Sequence, residues 1–452
     1  MSEMTPSQRT STTGGRYRPY PEYKDSSVEW LGQIPAHWRV QGLKYVAPLM
    51  DQRASVSVSE LPYVGLEHIE AGTGRLAHIP DSAPPESEEC DDATSLFRPG
   101  DVLFGKLRPY LAKVLRPDFA GRCSTELLVL RSAGEITPTM LAYQLRSRDF
   151  IAWVNSMTYG TKMPRASPDK VMSIPVALAP AGEQDGIARF LDRETARIDA
   201  LVAKKERLIE LLQEKRTSLI TQAVTRGLDE NAPMRDSGVE GLGAIPKGWQ
   251  ILPHTKYVAE MSDYRGKTPL KTPDGVLLVT ARNVRMGFID YEASQEFVSE
   301  ADYDEIMRRG KPRIGDILFT TEAPLGNVAL VDREDIALAQ RIIRFRMNPA
   351  HFWSRFTMYG MMSGFFQAQL QSLSTGSTAE GLKASKLPML RLVAPPIEGQ
   401  RVIAKFLDGL TTATNRGIST IHAAIGRLNE YRTALIAAAV TGKIDVRGEV
   451  GA

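Results

Sequence analysis

Val28-Glu29-Trp30-Leu31-Gly32-Gln33-Ile34-Pro35-Ala36-His37-Trp38 returns as Val239-Glu240-Gly241-Leu242-Gly243-Ala244-Ile245-Pro246-Lys247-Gly248-Trp249. Solenoid and propeller repeats have periods of about 20–50 residues, far shorter than the interval between these copies. The repeat therefore marks a duplicated half of the molecule, and the chain is expected to have internal two-fold character.

The copies can be followed beyond their openings. Lys44-Tyr45-Val46-Ala47 matches Lys256-Tyr257-Val258-Ala259, and Pro99-Gly100-Asp101-Val102-Leu103-Phe104 matches Arg313-Ile314-Gly315-Asp316-Ile317-Leu318-Phe319. From Gln184 and Gln400, 216 residues apart, the spacing becomes constant: Ile187/Ile403, Phe190/Phe406, Leu191/Leu407, Asp192/Asp408, Arg216/Arg432, Leu219/Leu435, Ala223/Ala439 and Asp229/Asp445 all keep it. An ungapped match of this length implies a rigid element. Between the landmarks loop lengths and charges differ, so the reading is of one scaffold carrying two different working surfaces.

The constant segments have helical periodicity. Leu191, Ile198, Leu201, Leu208, Leu212 and Leu219 form a three-and-four seam in the first, and Ile418, Ile421, Ile425, Leu428 and Leu435 form one in the second. Lys205 and Arg432 interrupt the seams, and Gly417 and Gly426 weaken the second helix. Each helix should start just after a proline, Pro180 or Pro396, and stop near Gly227 or Gly442. About 43 residues at 1.5 Å each make a helix of about 64 Å. Two such helices are expected to pack antiparallel as a rod with a globular half at each end.

The halves read as mixed α/β (α+β). Val102-Leu103-Phe104 and Ile317-Leu318-Phe319 follow Gly-Asp turns as strands, Leu127–Leu130 and Ile342–Phe345 are later strands, and Met140–Trp153 and Phe352–Leu370 each read as one helix. The repeat-opening tryptophans are expected to anchor each half on a rod helix, since indole burial contributes a few kcal/mol.

Composition excludes several function classes. The 452 residues are ordinary in hydrophobic and charged content, and no apolar run of about eighteen residues is present to span a bilayer. Met1–Tyr20 lacks an apolar signal core, so a cytoplasmic protein with a frayed tail is expected. Cys90 and Cys123 show no CxxC spacing, and the six histidines never cluster, so no zinc or iron site is legible. Net charge is only +3, which leaves anion binding to local patches. Gly100-x4-Gly105-Lys106 has P-loop spacing, but Leu107 replaces the magnesium-binding hydroxyl. Asp118 and Glu126 have a nuclease-like look, but Leu128 stands where the supporting lysine belongs. Neither an Asn-Pro-Pro-aromatic tetrapeptide nor a Gly-x-Gly-x-x-Gly loop occurs, and the expectation is that the chain catalyses nothing by itself.

What the loops do contain suits phosphate and base contact. In the first half the candidates are Lys106, Arg108, Tyr110 and Lys113, then Tyr159, Thr161, Lys162 and Arg165. In the second they are Arg282, Asn283, Thr320, Thr321, Glu322, Asn327, Arg341, Ser374, Thr375 and Ser377. Arginine and lysine bridge guanine edges or phosphates, and amide and hydroxyl groups read adenine, thymine or backbone.

The stretches Tyr23–Gly32, Ile34–Trp38, Gly100–Tyr110, Glu322–Gly326 and Ser374–Thr378 resemble the DNA-specificity (S) subunit of type I restriction-modification systems, a likeness covering nearly all of the chain after Tyr20. One departure is that Ile397-Glu398-Gly399-Gln400 stands against Ala181-Gly182-Glu183-Gln184 and lacks the glutamate before its glutamine. The resemblance implies a tail (1–19), target-recognition domain 1 (20–181), a central helical region (182–229), target-recognition domain 2 (230–397), a distal helical region (398–447) and a short tail (448–452). Each recognition domain would bind one half of a bipartite double-stranded DNA site, while the helices set the spacer and dock subunits. Two modification subunits would supply S-adenosylmethionine, and restriction (motor-nuclease) subunits would supply ATP and magnesium chemistry. This chain would hold no cofactor or metal. A stand-alone methyltransferase or nuclease, and a protein-binding adaptor without DNA readout, are the alternatives.

Overall fold

The computed structural model describes residues 17–54, 61–77, 94–264, 266, 269–374 and 381–449. The chain divides into two compact units, Met1–Lys204 with Ala423–Ala452, and Lys205–His422.

In the first unit, buried Val102–Gly105 lies between Leu127–Leu130 and Val114–Leu115 in an antiparallel sheet. A strand covered on both faces can be continuously apolar, which is why this run does not alternate. Gly100, at φ +87°, makes the tight turn before it, a conformation costly for other residues. Asp101 accepts from the Arg98 amide (2.8 Å) and holds Arg131 through two bonds of 2.7 and 2.8 Å. Helices α1 (Pro138–Arg146) and α2 (Arg148–Ser156) follow, and Pro175–Leu178 pairs with Arg39–Gly42 before the long helix α3 (Ala181–Arg226).

The second unit repeats the plan. Ile317–Thr321 lies between Ile342–Met347 and Leu325–Leu330, with Val258–Asp263 outside Ile342–Met347. Gly315, at φ +88°, repeats the turn. Helices α4 (Ser354–Met362) and α5 (Gly364–Leu373) come next, Arg391–Ala394 pairs with Gln250–Pro253, and α6 (Ile397–Val440) closes the series.

Two expected single helices are each broken. Ser147 and Ser363 take extended ψ values of 143° and 148°, and their hydroxyls donate to the carbonyls of Gln144 (2.7 Å) and Gly360 (2.6 Å). A serine that captures a carbonyl of the preceding turn competes with helix continuation, and apolar periodicity does not reveal it.

The repeat extends to buried side-chain bonds. Gln184 accepts from the Thr137 amide (2.7 Å) and donates to the carbonyls of Glu135 and Ala179 (both 2.8 Å). Gln400 accepts from the Trp353 amide (2.8 Å) and donates to His351 (2.9 Å) and Pro395 (3.0 Å). Every partner keeps the 216-residue spacing. The loss of Glu183 in the second copy therefore leaves the start of α6 intact at Ile397.

Glu183 serves the first unit alone. Its carboxylate takes the Trp38 indole N–H (2.9 Å) and lies 2.7 Å from His37 Nε2, whereas Gly248 and Gly399 stand at the corresponding places in the second unit. Trp38 is fully buried and packs with the end of α6, while Trp249 is half-buried beside Gly227. The two units also differ at Trp30 and Trp153, which are replaced by Gly241 and Gln369. A groove of about 1260 Å³ along α3 results in the second unit, lined by Thr217, Thr221, Glu240, Phe365 and Gln369 among others.

Each core is sealed by one end of each long helix. Ile187, Phe190 and Leu191 join Leu435–Val440 in the first unit, and Ile220, Ala223 and Val224 join Ile403, Ala404 and Leu407 in the second. The helix segments are antiparallel within each unit. Asp199 meets Arg432 at 3.3 Å in the first, and Arg216 donates to Asn415 at 2.8 Å in the second, two contacts related by the same spacing. At 46 and 44 residues, α3 and α6 would each measure about 65–70 Å. Gly417 and Gly426 do not interrupt α6.

The seam of α3 departs from the expected one. Leu201 and Leu208 are 40% and 45% exposed, and the better-covered stripe runs through Ile198, Val202, Lys205, Ile209, Leu212 and Arg216. Leucines on adjacent faces fit a heptad equally well, and the partner helix decides which face is covered. Leu191 is buried and Leu219 half-buried; along α6, Ile418, Ile421, Ile425 and Leu428 are half-buried and Leu435 is buried. Cys123 is buried with a free thiol pushed up to about 12 by burial; Cys90 lies outside the described residues.

Candidate nucleic-acid interface

Two segments far apart in the first half come together at one edge of the sheet. The chain leaving Val102–Gly105 is met by the returning segment 159–166: Arg108 N–H donates to the Pro164 carbonyl (2.7 Å) and Ala166 N–H to the Lys106 carbonyl (2.8 Å). Leu107 and Arg165 form a β-bridge, as do Tyr159 and Arg165. Arg108 and Ala112 both have left-handed backbone, at φ 50° and 47°, which bends the segment over Pro109–Leu111. Tyr110, Tyr159 and Met163 are more than half exposed, and Thr161 and Lys162 are exposed beside them. Aromatic groups and cations on a backbone-fixed corner suit stacking and phosphate contact.

Lys106 and Arg108 are half-buried at this corner. Lys113 is committed elsewhere, with Nζ donating to the Leu66 carbonyl at 2.6 Å. Arg165 pairs with Glu126 at 2.9 Å, a partner that reading the loops alone overlooked. The repeat spacing could have found it, since Glu126 lies opposite Arg341.

The second unit builds the same corner with other side chains. Thr321 N–H donates to the Arg341 carbonyl (2.9 Å), Leu382 N–H donates to the Thr321 carbonyl (3.0 Å), and Glu322 bridges Gly381. Arg341 is exposed with φ 77°, and its guanidinium lies 3.2 Å from Glu322. Arg282 is exposed nearby in sequence to the buried Asn283.

Several expected contact residues prove structural. Asn283 is fully buried: Oδ1 accepts from the Thr280 amide and hydroxyl (2.9 and 2.8 Å), and Nδ2 donates to the carbonyls of Asp290 and Ser294 (3.0 and 2.9 Å). Thr320 and Thr321 are buried; the Thr320 hydroxyl accepts from Asn327 N–H (2.9 Å) and that of Thr321 donates to the Arg341 carbonyl (3.2 Å). Asn327 Nδ2 donates to the Val284 carbonyl (2.8 Å). A composition rule cannot separate a hydroxyl that closes a strand from one that meets a ligand. Ser374 caps the end of α5 by donating to the Gln371 carbonyl (2.8 Å), and Thr375 and Ser377 lie outside the described residues.

Among the described residues no group of three or more His, Cys, Asp or Glu side chains is placed to hold a metal ion, and no helix is long and apolar enough to cross a membrane.

Comparison with known proteins points in one direction. Residues 285–426 match the type I restriction modification DNA specificity domain. The type I restriction enzyme MjaVIII specificity subunit of Methanocaldococcus jannaschii is 23% identical over 407 residues, covering 86% of this chain and 90% of that protein. The EcoKI specificity subunit of Escherichia coli strain K12 is 19% identical over 436 residues, covering 91% and 90%. A chain from a solved type I R-M system, studied for complex assembly and conformational transition, aligns with a TM-score of 0.61 at 19% identity, covering 90% of this chain and 98% of that one. That likeness carries the fold: two mixed α/β units and two long helices, whose segments run antiparallel within each unit.

Proposed function

We propose, from the premise that this chain belongs to the family of type I restriction-modification specificity subunits, that each unit reads one half of a bipartite double-stranded DNA site. The chain is the non-catalytic specificity component of a type I methyltransferase and endonuclease complex. The observation that supports its mode of action most directly is the duplicated corner. The same three backbone contacts fix it in both units, Lys106/Glu126 with Thr321/Arg341, Ala166/Lys106 with Leu382/Thr321, and the bridges Leu107/Arg165 and Glu322/Gly381, while the side chains mounted on it differ. A fixed frame with changed side chains is what reading two unlike sequences requires.

Two modification subunits bind along the helices, and each flips and methylates an adenine in its own half-site, since such chemistry takes the base out of the stack. S-adenosylmethionine, ATP and magnesium belong to the modification and restriction partners, and the assembly works in the cytoplasm. The test is DNA retention by the chain with and without its modification subunit, together with labelled methyl transfer by each component. Sequence-specific retention with no methyl transfer by this chain alone is expected. Methyl transfer by the purified chain would revive a stand-alone enzyme, and no sequence-specific retention in either case would favour a protein adaptor.

Helices α3 and α6 set the unread spacer. Four residues inserted at matched positions in both helices add about 6 Å, which at about 3.4 Å per base pair should lengthen the spacer by one or two base pairs. Mapping of methylated adenines should show both half-sites unchanged around the longer spacer; an unchanged spacer would refute the ruler.

A further inference from the structure

The Arg–Glu pair at the reading corner is conserved as an interaction between the halves but not as residues. In the first unit the cation is Arg165, on the returning segment, and the carboxylate is Glu126, on the wall beside Lys106. In the second the cation is Arg341, at the place of Glu126, and the carboxylate is Glu322, at the place of Leu107; the place of Arg165 is taken by Gly381. The cation of the second unit stands where the first has its carboxylate, and the carboxylate stands on the segment leaving the strand, while the backbone contacts beneath them persist.

Stability does not account for this. Arg165, Arg341 and Glu322 are 43%, 49% and 39% exposed and Glu126 23%, and ion pairs with at least one member this open to solvent contribute little to folding. The fit within the first pair is also incomplete: Arg165 Nε and Glu126 Oε2 are buried without a hydrogen-bond partner. Arg341 holds its pair from a left-handed backbone, which an L side chain rarely adopts and which clusters at functional positions.

We propose that each pair is a base-reading couple for one G·C pair in its half-site. The guanidinium of Arg165 or Arg341 donates to guanine O6 and N7, and the carboxylate of Glu126 or Glu322 accepts from the cytosine N4 amino group. A G·C pair is the base pair whose major-groove edge offers adjacent acceptors on one base and an amino donor on the other. In the free protein the two groups pair with each other and are thereby held at the corner. On DNA each exchanges its partner for a base edge, so neither charge is left unpaired. The inference rests on the reading of the chain as a DNA-specificity subunit and adds which side chains discriminate and what they recognise.

The test uses the complete complex with its modification subunits, expressed in a host lacking adenine methylation, with methylated sites mapped by single-molecule sequencing. Arg341→Gln and Glu322→Gln should each relax one G·C position of one half-site by roughly 5- to 150-fold and leave the other half-site at wild-type stringency. Arg165→Gln and Glu126→Gln should do the same in the other half-site alone. Thermal unfolding and subunit assembly of each variant separate misfolding from misreading, and the two variants of each couple check one another. The proposal is overturned if every position keeps wild-type stringency, or if the wild-type half-sites lack a G·C pair. It is also overturned if the arginine variants weaken binding equally at all sequences with a shallower salt dependence, the behaviour of a phosphate contact. A wild-type complex that methylates no discrete bipartite site overturns the functional reading as well, which distinguishes the two failures.

Discussion

Asp316→Ala is expected to destabilise the second unit by about 3–5 kcal/mol, because it strips the partner from a buried arginine. Arg344 is 1% exposed, and its guanidinium donates to Asp316 (2.8 Å) and to the Ser262 hydroxyl (2.7 Å), with Glu260 at 3.2 Å. Arg346 adds two bonds of 2.8 Å to the same carboxylate, which also accepts from the Arg313 amide at 2.9 Å. Removing the carboxylate leaves both cations to share Glu260, which is 51% exposed, above a hole. The matching change in the first unit, Asp101→Ala, should cost about 2 kcal/mol, the scale of hydrogen bonds to a charged group, because its single arginine, Arg131, is 30% exposed and can turn to water. Denaturant unfolding with hydrogen exchange resolved over Ile317–Thr321 and Val102–Gly105 measures both. Arg344 occupies the place of Val129 in the other half, so adding Arg344→Val to Asp316→Ala should recover much of the loss. Equal costs for the two aspartates, or no recovery in the double variant, would show that the buried cation is not the cause.

The second large effect is on acid stability. His254 is almost fully buried, edge-on to Phe345 and Phe366, with Nδ1 3.4 Å from the Leu390 carbonyl and the Leu387 backbone also in reach of the ring. Burial lowers its pKa to about 4 from 6.5. The unfolded chain therefore takes up a proton near pH 6.5 that the folded chain refuses until about pH 4. Stability from the neutral ring is complete above pH 6.5 and falls by about 1.4 kcal/mol per pH unit through that window, about 3 kcal/mol in all. The first unit carries Leu43 at the same place, fully buried and with the same backbone bond, its amide to Ile174 as that of His254 to Leu390. His254→Leu should accordingly remove this part of the acid sensitivity of the second unit while keeping its fold at pH 7. Unfolding midpoints between pH 7 and 4 with the same slope in both proteins would refute it.

Much of the framework was legible because rigid elements tolerate no insertion. The 216-residue spacing located both long helices, and it extends to Gln184 and Gln400, Tyr143 and Tyr359, and Asp192 and Asp408, whose bonds are repeated (Tyr143 to Asp192 at 2.6 Å, Tyr359 to Asp408 at 2.7 Å). The Gly-Asp turns were legible because a left-handed glycine and a carboxylate that accepts a turn amide leave few substitutes. Ser147 and Ser363 hid their helix breaks, because a serine is compatible with a helix until its hydroxyl finds a carbonyl. Leu201 and Leu208 misdirected the seam, because periodicity marks apolar faces and does not say which one a partner covers. Asn283, Thr320 and Thr321 looked like ligand-binding groups because buried bonds to distant carbonyls leave no local pattern.

The sequence by itself determined that the chain is a duplication, that each half ends in a long helix, and that the halves keep one framework under divergent surfaces. Those properties follow from local backbone geometry and from spacing along the chain. Only the tertiary structure decided which polar groups are exposed, that segments 106–113 and 159–166 form one corner, and that an Arg–Glu pair occupies that corner in both halves with its charges at different places. Such contacts join residues that sheet pairing brings together across tens of positions, and the identity of a residue does not specify its partner.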